Sequence, residues 1–373
     1  MKKLLAALCA VLALTTGVRA LDVAAPSALL MEKETGTVLF SKDEHAKLEP
    51  ASVTKVMTIL LTMEAIDSGQ LSYDTVVTAS AHACSMGGSQ IWLKENEQMT
   101  VGDMLKAVCV VSANDCAVAL GEQIAGSEEA FVERMNARAR ELGMNDTTFQ
   151  NATGLPAAGH VTSAHDIAIM SRELIKNHPD IRQYTTIWMD TLRNGQSQLV
   201  NTNKLIRFYE GATGLKTGST DAAGYCLSAT AERDGMELIA VIMKDPTSAQ
   251  RFEDAKALLS YGFSTYALKK IVPETPLVPV PVTLGTQATV QPVLGEGDAL
   301  LLEKAKAGDL QQTVTLAESV PAPVGIGDQL GTLTVTSGGE VVAEVPILAG
   351  EDVPRITYGA MALRLLRSAF LAA

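Results

Sequence analysis

Residues 50–58 read PASVTKVMT. A proline followed by a long apolar run predicts a helix over about residues 51–66, ending near Ser68-Gly69, with Ser52 in its first turn. Ser52 and Lys55 are three residues apart, so they share one helix face. A lysine near a helix N-terminus feels the positive end of the dipole, which disfavours the ammonium. A lysine brought toward neutrality is a suitable base for a serine nucleophile. Taken alone, the pair is a weak signal and reads first as an N-terminal serine beside a surface lysine.

Two further patterns change that balance. Ser112-Ala113-Asn114 falls at a break between two apolar helices predicted over 101–125, where polar side chains can face a cleft. Lys216-Thr217-Gly218 closes a predicted strand, and glycine there permits close approach to the backbone. S-x-x-K, S-x-N and K-T-G each occur once in the chain, in that order. A phosphate-binding loop in GATGLKT is excluded, because no glycine directly precedes Lys216 and no helix is predicted after it.

Composition narrows the alternatives. The chain has 373 residues, 47% of them hydrophobic, which suffices for one large domain plus a smaller one. A formal net charge of −12 argues against a nucleic-acid partner. Residues 1–20 read as an export signal: basic MKK, apolar LLAALCAVLAL, and small residues up to Ala20. An exported product can hold disulfides, yet Cys109, Cys116 and Cys226 lie in apolar runs and read as buried thiols. There is no C-x-x-C and no H-E-x-x-H, and no cofactor or metal is expected.

The elements alternate in a telling way. A hairpin is predicted over 28–40, helices fill 51–176, and three strands follow (GLKTGST, AGYCLSATAE, MELIAVIM) before a helix at about 248–261. Strands at both ends of the segment imply an α+β domain: an antiparallel sheet packed with a helical cluster. After Lys270 the chain is proline-rich, then a series of short β-branched runs without His, Cys or aromatic residues. The expected division is a signal peptide at 1–20, a catalytic domain at 21–270, an accessory β-rich domain at 271–355 and an amphipathic helix at 356–373. In that helix Met361, Leu365, Leu366 and Phe370 recur at helical spacing. Arg364 and Arg367 would suit an anionic membrane surface, on which the short run would lie flat.

The motif trio, with an S-D-N variant, is that of penicillin-binding proteins and class A β-lactamases. Residues 24–265 resemble the low-molecular-mass D-alanyl-D-alanine carboxypeptidases of peptidase family S11. The flanks LEPASVTKVMT, GGSQIWL, SANDCAVALGE, FQNATGL, HVTSAHDIA and LKTGSTDAAGYCLSATA carry the likeness. NTNKLIRFYEGATGLKTG is similar to the sporulation-associated branch. The resemblance implies a β-lactamase/transpeptidase-like fold and a peptidoglycan stem pentapeptide as substrate, with β-lactams as inhibitors. It implies Ser52 as nucleophile, Lys55 as its base and Ser112 as proton relay. Asn114, Lys216, Thr217, Gly218 and Ser219 would bind substrate, with an oxyanion hole from the N–H groups of Ser52 and Ser219. Arg251 would grip the terminal carboxylate. Ser219 stands where relatives often have His or Tyr. The resemblance also implies a C-terminal anchor behind a β-rich spacer.

Two other readings compete. A class A-like β-lactamase lacks support, because no clear E-x-x-x-N loop lies between SAN and KTG. A non-catalytic wall or β-lactam binder would not need the complete set of Ser52, Lys55, Ser112, Asn114 and Lys216. A His165-Asp166 triad is disfavoured by its place at a helix start and by the absence of G-x-S-x-G. His45, His82, His160 and His178 read as surface or loop residues.

Overall fold

The computed structural model describes residues 21–295, 297 and 299–371, with side chains described up to residue 364. The export signal expected at 1–20 lies outside the described residues, as do the side chains of Leu365, Leu366, Arg367 and Phe370.

The first hairpin forms as expected, β1 (Ser27–Glu32) against β2 (Val38–Lys42). Its turn closes on the Glu32 carboxylate, which accepts from the N–H groups of Glu34 and Thr35 at 2.8 and 2.7 Å. A 3-10 turn (Ala51–Thr54) leads into α1 (Lys55–Asp67), capped at Ser68. Ten of its thirteen residues are buried, so α1 is a central helix without a polar face. α2 (Val101–Val111) and α3 (Asn114–Ala125) are separated by Ser112, which takes a left-handed φ of 65°. α4 (Glu128–Glu141) and α5 (Ala164–Asn177) start on Ser127 and Ser163, whose hydroxyls accept from the backbone three residues on.

Three long strands follow: β3 (Ala212–Thr220), β4 (Gly224–Arg233) and β5 (Met236–Asp245). They join the first hairpin in one antiparallel sheet of order β2-β1-β5-β4-β3. The helix α6 (Ser248–Thr265) runs several residues beyond its expected end. The sheet is buried on both faces. Ile239, Val241 and Met243 pack on the helical cluster, whereas Leu238, Ala240 and Ile242 pack on α6 with Phe252, Leu259 and Phe263. That explains why β5 reads as a continuous apolar run rather than an alternating one.

Two small ladders were not anticipated, Val76–Thr78 with Gln98–Thr100 and Met189–Leu192 with Ser197–Val200. Past α6, β6 (Tyr266–Lys270) pairs with Ala299–Glu303, so β pairing starts before the proline-rich shift. The remaining strands include a four-stranded antiparallel sheet built on Leu310–Leu316, Gln329–Ser337, Glu340–Ala349 and Pro292–Leu294. The chain ends in α7 (Tyr358–Leu371). Among the described residues no helix is long and apolar enough to cross a membrane.

Candidate active site

The 3-10 turn places Ser52 so that Lys55, the first residue of α1, comes back beneath it. Lys55 Nζ lies 2.9 Å from Ser52 Oγ and donates to the Thr153 carbonyl at 2.7 Å. Lys55 is completely buried and forms no ion pair among the described residues. Burial is the main cause that holds its pKa well below the usual lysine range; the nearby charge of Lys216 adds to it, and Asp115 opposes.

Glycines set the approach of three segments. A Cβ on Gly218 would stand 2.8 Å from both Pro50 O and Ser52 N, so β3 can press on the turn that carries Ser52 only without a side chain there. The glycine of K-T-G thus serves contact with the turn that leads into α1, where the sequence predicts close approach of a ligand. Gly154, at φ +82°, would put a Cβ 1.8 Å from Ala51 O. The Asn151 side chain shapes that loop, its oxygen accepting from Thr153 N and Gly154 N at 3.1 and 2.7 Å.

The other expected residues gather on the same wall or behind it. Ser112 is buried and its hydroxyl has no hydrogen-bond partner among the described residues; the Asn114 side-chain oxygen is likewise buried and unpartnered. Asn114 Nδ2 donates to Gly87 O at 2.6 Å, which ties the SAN break to the 86–93 loop. Buried polar atoms left open in this way suit an incoming polar ligand. Lys216 is buried, donates to Thr217 O at 2.8 Å, and has its pKa lowered to about 7 chiefly by burial. Thr217 Oγ1 donates to Thr202 Oγ1 at 2.8 Å, and Ser219 is exposed on β3. Arg251, from α6, is also buried: its Nη1 donates to Gly218 O and Cys226 O at 2.9 and 3.2 Å, while Nε has no partner.

Some reading needs correcting. His160 is a loop residue, as read, but a buried one: Nδ1 accepts from Gln150 N–H at 3.2 Å, so Nε2 carries the proton toward Thr54 Oγ1 at 2.8 Å. Burial lowers its pKa to about 4. His178 is buried as well, against Asp67. Asp166 accepts from Asp146 N–H and the Thr147 hydroxyl, so it serves the loop before α5 rather than a histidine triad. Thr153 and Asp115 were missed. Asp115, fully buried, accepts from Ile91 N and Leu93 N at 3.1 and 3.0 Å and fixes the 86–93 loop. Cys84, Cys109, Cys116 and Cys226 are free thiols, and burial pushes Cys109 up to about 12.

Comparison with known proteins agrees with this geometry. Residues 14–247 match the family described as D-alanyl-D-alanine carboxypeptidase, and residues 266–355 match the C-terminal domain of penicillin-binding protein 5. The chain is 42% identical to the D-alanyl-D-alanine carboxypeptidase DacF of Bacillus subtilis, over 90% of this chain and 87% of that one. Penicillin-binding protein 5 from Haemophilus influenzae superimposes with a TM-score of 0.79 at 28% identity, covering 90% of this chain and 98% of its own. The ampicillin-bound form of penicillin-binding protein D2 from Listeria monocytogenes gives 0.60 at 33% identity, over 65% of this chain and 98% of its own. The chain belongs to the D-alanyl-D-alanine carboxypeptidases of peptidase family S11, an enzyme family of penicillin-binding proteins.

Proposed function

We propose that the enzyme removes the terminal D-alanine from peptidoglycan stem pentapeptides through an acyl-enzyme on Ser52, and that penicillin acylates the same oxygen. The observation that carries this is Lys55, wholly buried, unpaired with any acid among the described residues and 2.9 Å from Ser52 Oγ. Its neutral amine takes the Ser52 proton as Oγ bonds to the scissile carbonyl carbon. The oxyanion forms at the N–H groups of Ser52 and Ser219. Collapse breaks the C–N bond, and Ser112 hands a proton to the departing amine of D-alanine while taking up the one that Lys55 holds. Water then hydrolyses the ester and frees Ser52. Asn114 orients the substrate amide, and Lys216, Thr217 and Gly218 hold its end. Arg251 attracts the terminal carboxylate with its guanidinium.

Release of free D-alanine from diacetyl-Lys-D-Ala-D-Ala tests the reading. Turnover lost in Ser52→Ala is expected. Stoichiometric penicillin binding by a wild-type enzyme that liberates no D-alanine would instead mark a β-lactam-binding protein.

Residues 1–20 direct export, 21–270 carry the chemistry, and 271–355 space it from a membrane-surface helix at 356–373. Exposed Leu363 and Arg364, with the apolar spacing of the tail, support the last of these. The enzyme then works on the outer face of the cytoplasmic membrane. Co-sedimentation with anionic vesicles, with and without residues 356–373, checks it: both forms remaining in the supernatant at low salt would remove the anchor.

A further inference from the structure

Beside the SAN break lies a cleft of about 960 Å³ that the chemistry above does not use. Trp92 stands on its rim, 74% exposed. Single exposed apolar residues are ordinary, but this one is held out at a cost. Its backbone has a φ of 56°, a left-handed conformation that a bulky residue adopts only under constraint. The constraint is visible: Ile91 and Leu93, on either side, are buried, and both N–H groups end on the fully buried Asp115 carboxylate. The indole is therefore presented on a rigid mount rather than a loose loop.

The rest of the cleft is rich in neutral amides: Gln90, Asn194, Gln196 and Gln198 line it. Arg193, also in the wall, is occupied by Glu97 at 2.7 and 3.2 Å and by Ile91 O at 2.8 Å, while exposed Lys94 leaves one ammonium on the rim, able to donate to a sugar hydroxyl. An aromatic face ringed by amides matches a sugar, whose C–H face stacks on the indole while hydroxyl and acetamido groups meet the amides. Val111, on the cleft's floor, directly precedes Ser112, and Ser89 O accepts the Asn114 N–H at 2.7 Å. The cleft wall thus continues the wall of the catalytic site.

We infer that the Trp92 cleft binds an N-acetylhexosamine of the wall glycan to which the stem peptide is attached; this rests on the stem-peptide reading above. A stem peptide of a few residues spans on the order of 10–15 Å, enough to join two neighbouring subsites.

The experiment compares a stem pentapeptide with and without its N-acetylglucosaminyl-N-acetylmuramyl disaccharide. Wild type is expected to show a KM about tenfold lower on the disaccharide form. Trp92→Ala abolishes that preference while leaving kcat, the sugar-free KM and the penicillin acylation rate unchanged; Trp92→Tyr retains most of it. The double change Gln196→Ala and Gln198→Ala weakens the same substrate, as a second variant should Trp92→Ala not fold. Equal KM values for both substrates in wild type, or a Trp92→Ala loss shared by both, overturn the inference. Quenching of tryptophan fluorescence by the disaccharide-pentapeptide on Ser52→Ala reads binding without turnover, with Trp92→Phe as control for Trp188, the second of the chain's two tryptophans. Quenching by Trp92 in an enzyme whose wild type releases no D-alanine would sustain the sugar site and sink the stem-peptide reading.

Discussion

The two halves of the molecule bury different things. In the catalytic half Lys55, Lys216, Arg251, Asn114 and Asp115 are all nearly or wholly inaccessible. In the β-rich half, among the described residues of 271–355, no polar or charged residue is buried; the cores are Val, Leu, Ile and Ala. Burying an amine without an acid partner costs several kcal/mol, so such a group marks a candidate site. The comparison teaches where to look for chemistry: one half buries amines that no acid pairs with among the described residues, the other buries apolar side chains.

Substitutions can break or sharpen this contrast. The largest expected effect is from Lys55→Ala, which should slow acylation by penicillin by about 10²–10⁴-fold through loss of the general base. Near-normal stopped-flow rates would move the base elsewhere. In the other half, Leu333, fully buried in the second β core, should cost about 2–5 kcal/mol of that domain's stability when changed to alanine. Acylation by penicillin should stay at the wild-type rate, measured beside thermal unfolding.

Arg251→Ala sits between these cases, because its guanidinium supports the Gly218 and Cys226 carbonyls besides the carboxylate-gripping role proposed for it. Loss of about 2–4 kcal/mol in kcat/KM is expected on a peptide ending in a free carboxylate. A C-terminal amide should lose less. Equal losses would show that Arg251 serves only the strand carbonyls.

The smallest effect is the most diagnostic of the contrast. Lys216 has its pKa lowered to about 7, from an ordinary 10.5, so between those values the unfolded chain binds the extra proton. Stability is therefore lost as pH falls from about 10.5 to about 7 and stays low beneath that. Lys216→Met removes the penalty. It should raise Tm by about 2–8 °C at pH 7, with the gain fading toward the upper limit, while activity collapses. A Tm difference that does not change with pH would show that Lys216 is not held near neutrality.

Much of this was legible from the chain. Ser52 and Lys55 meet because three-residue spacing on a helix face is a local property, and the Ser112 break was marked by polar residues between apolar runs. The sheet followed from strands at both ends of the domain. What escaped was non-local. Thr153 acts through a backbone carbonyl, which no side chain advertises, across 98 residues of sequence from Lys55. His160 looked exposed because its GHVTS surroundings are polar, yet it closes onto Thr54 from a distant loop. The ladder of Met189–Leu192 with Ser197–Val200 has strands too short and too mixed in polarity to show a period. Asn151-x-x-Gly154 was the available sign of the tight loop behind Lys55.

The central claim is that Ser52 is the nucleophile of a site whose base is the buried Lys55. Its most direct test is intact-mass analysis after incubation with penicillin, followed by mapping of the modified peptide. One adduct per chain on the peptide containing Ser52, absent from Ser52→Ala, is the expected result. An adduct that persists in Ser52→Ala, or maps to another residue, contradicts it.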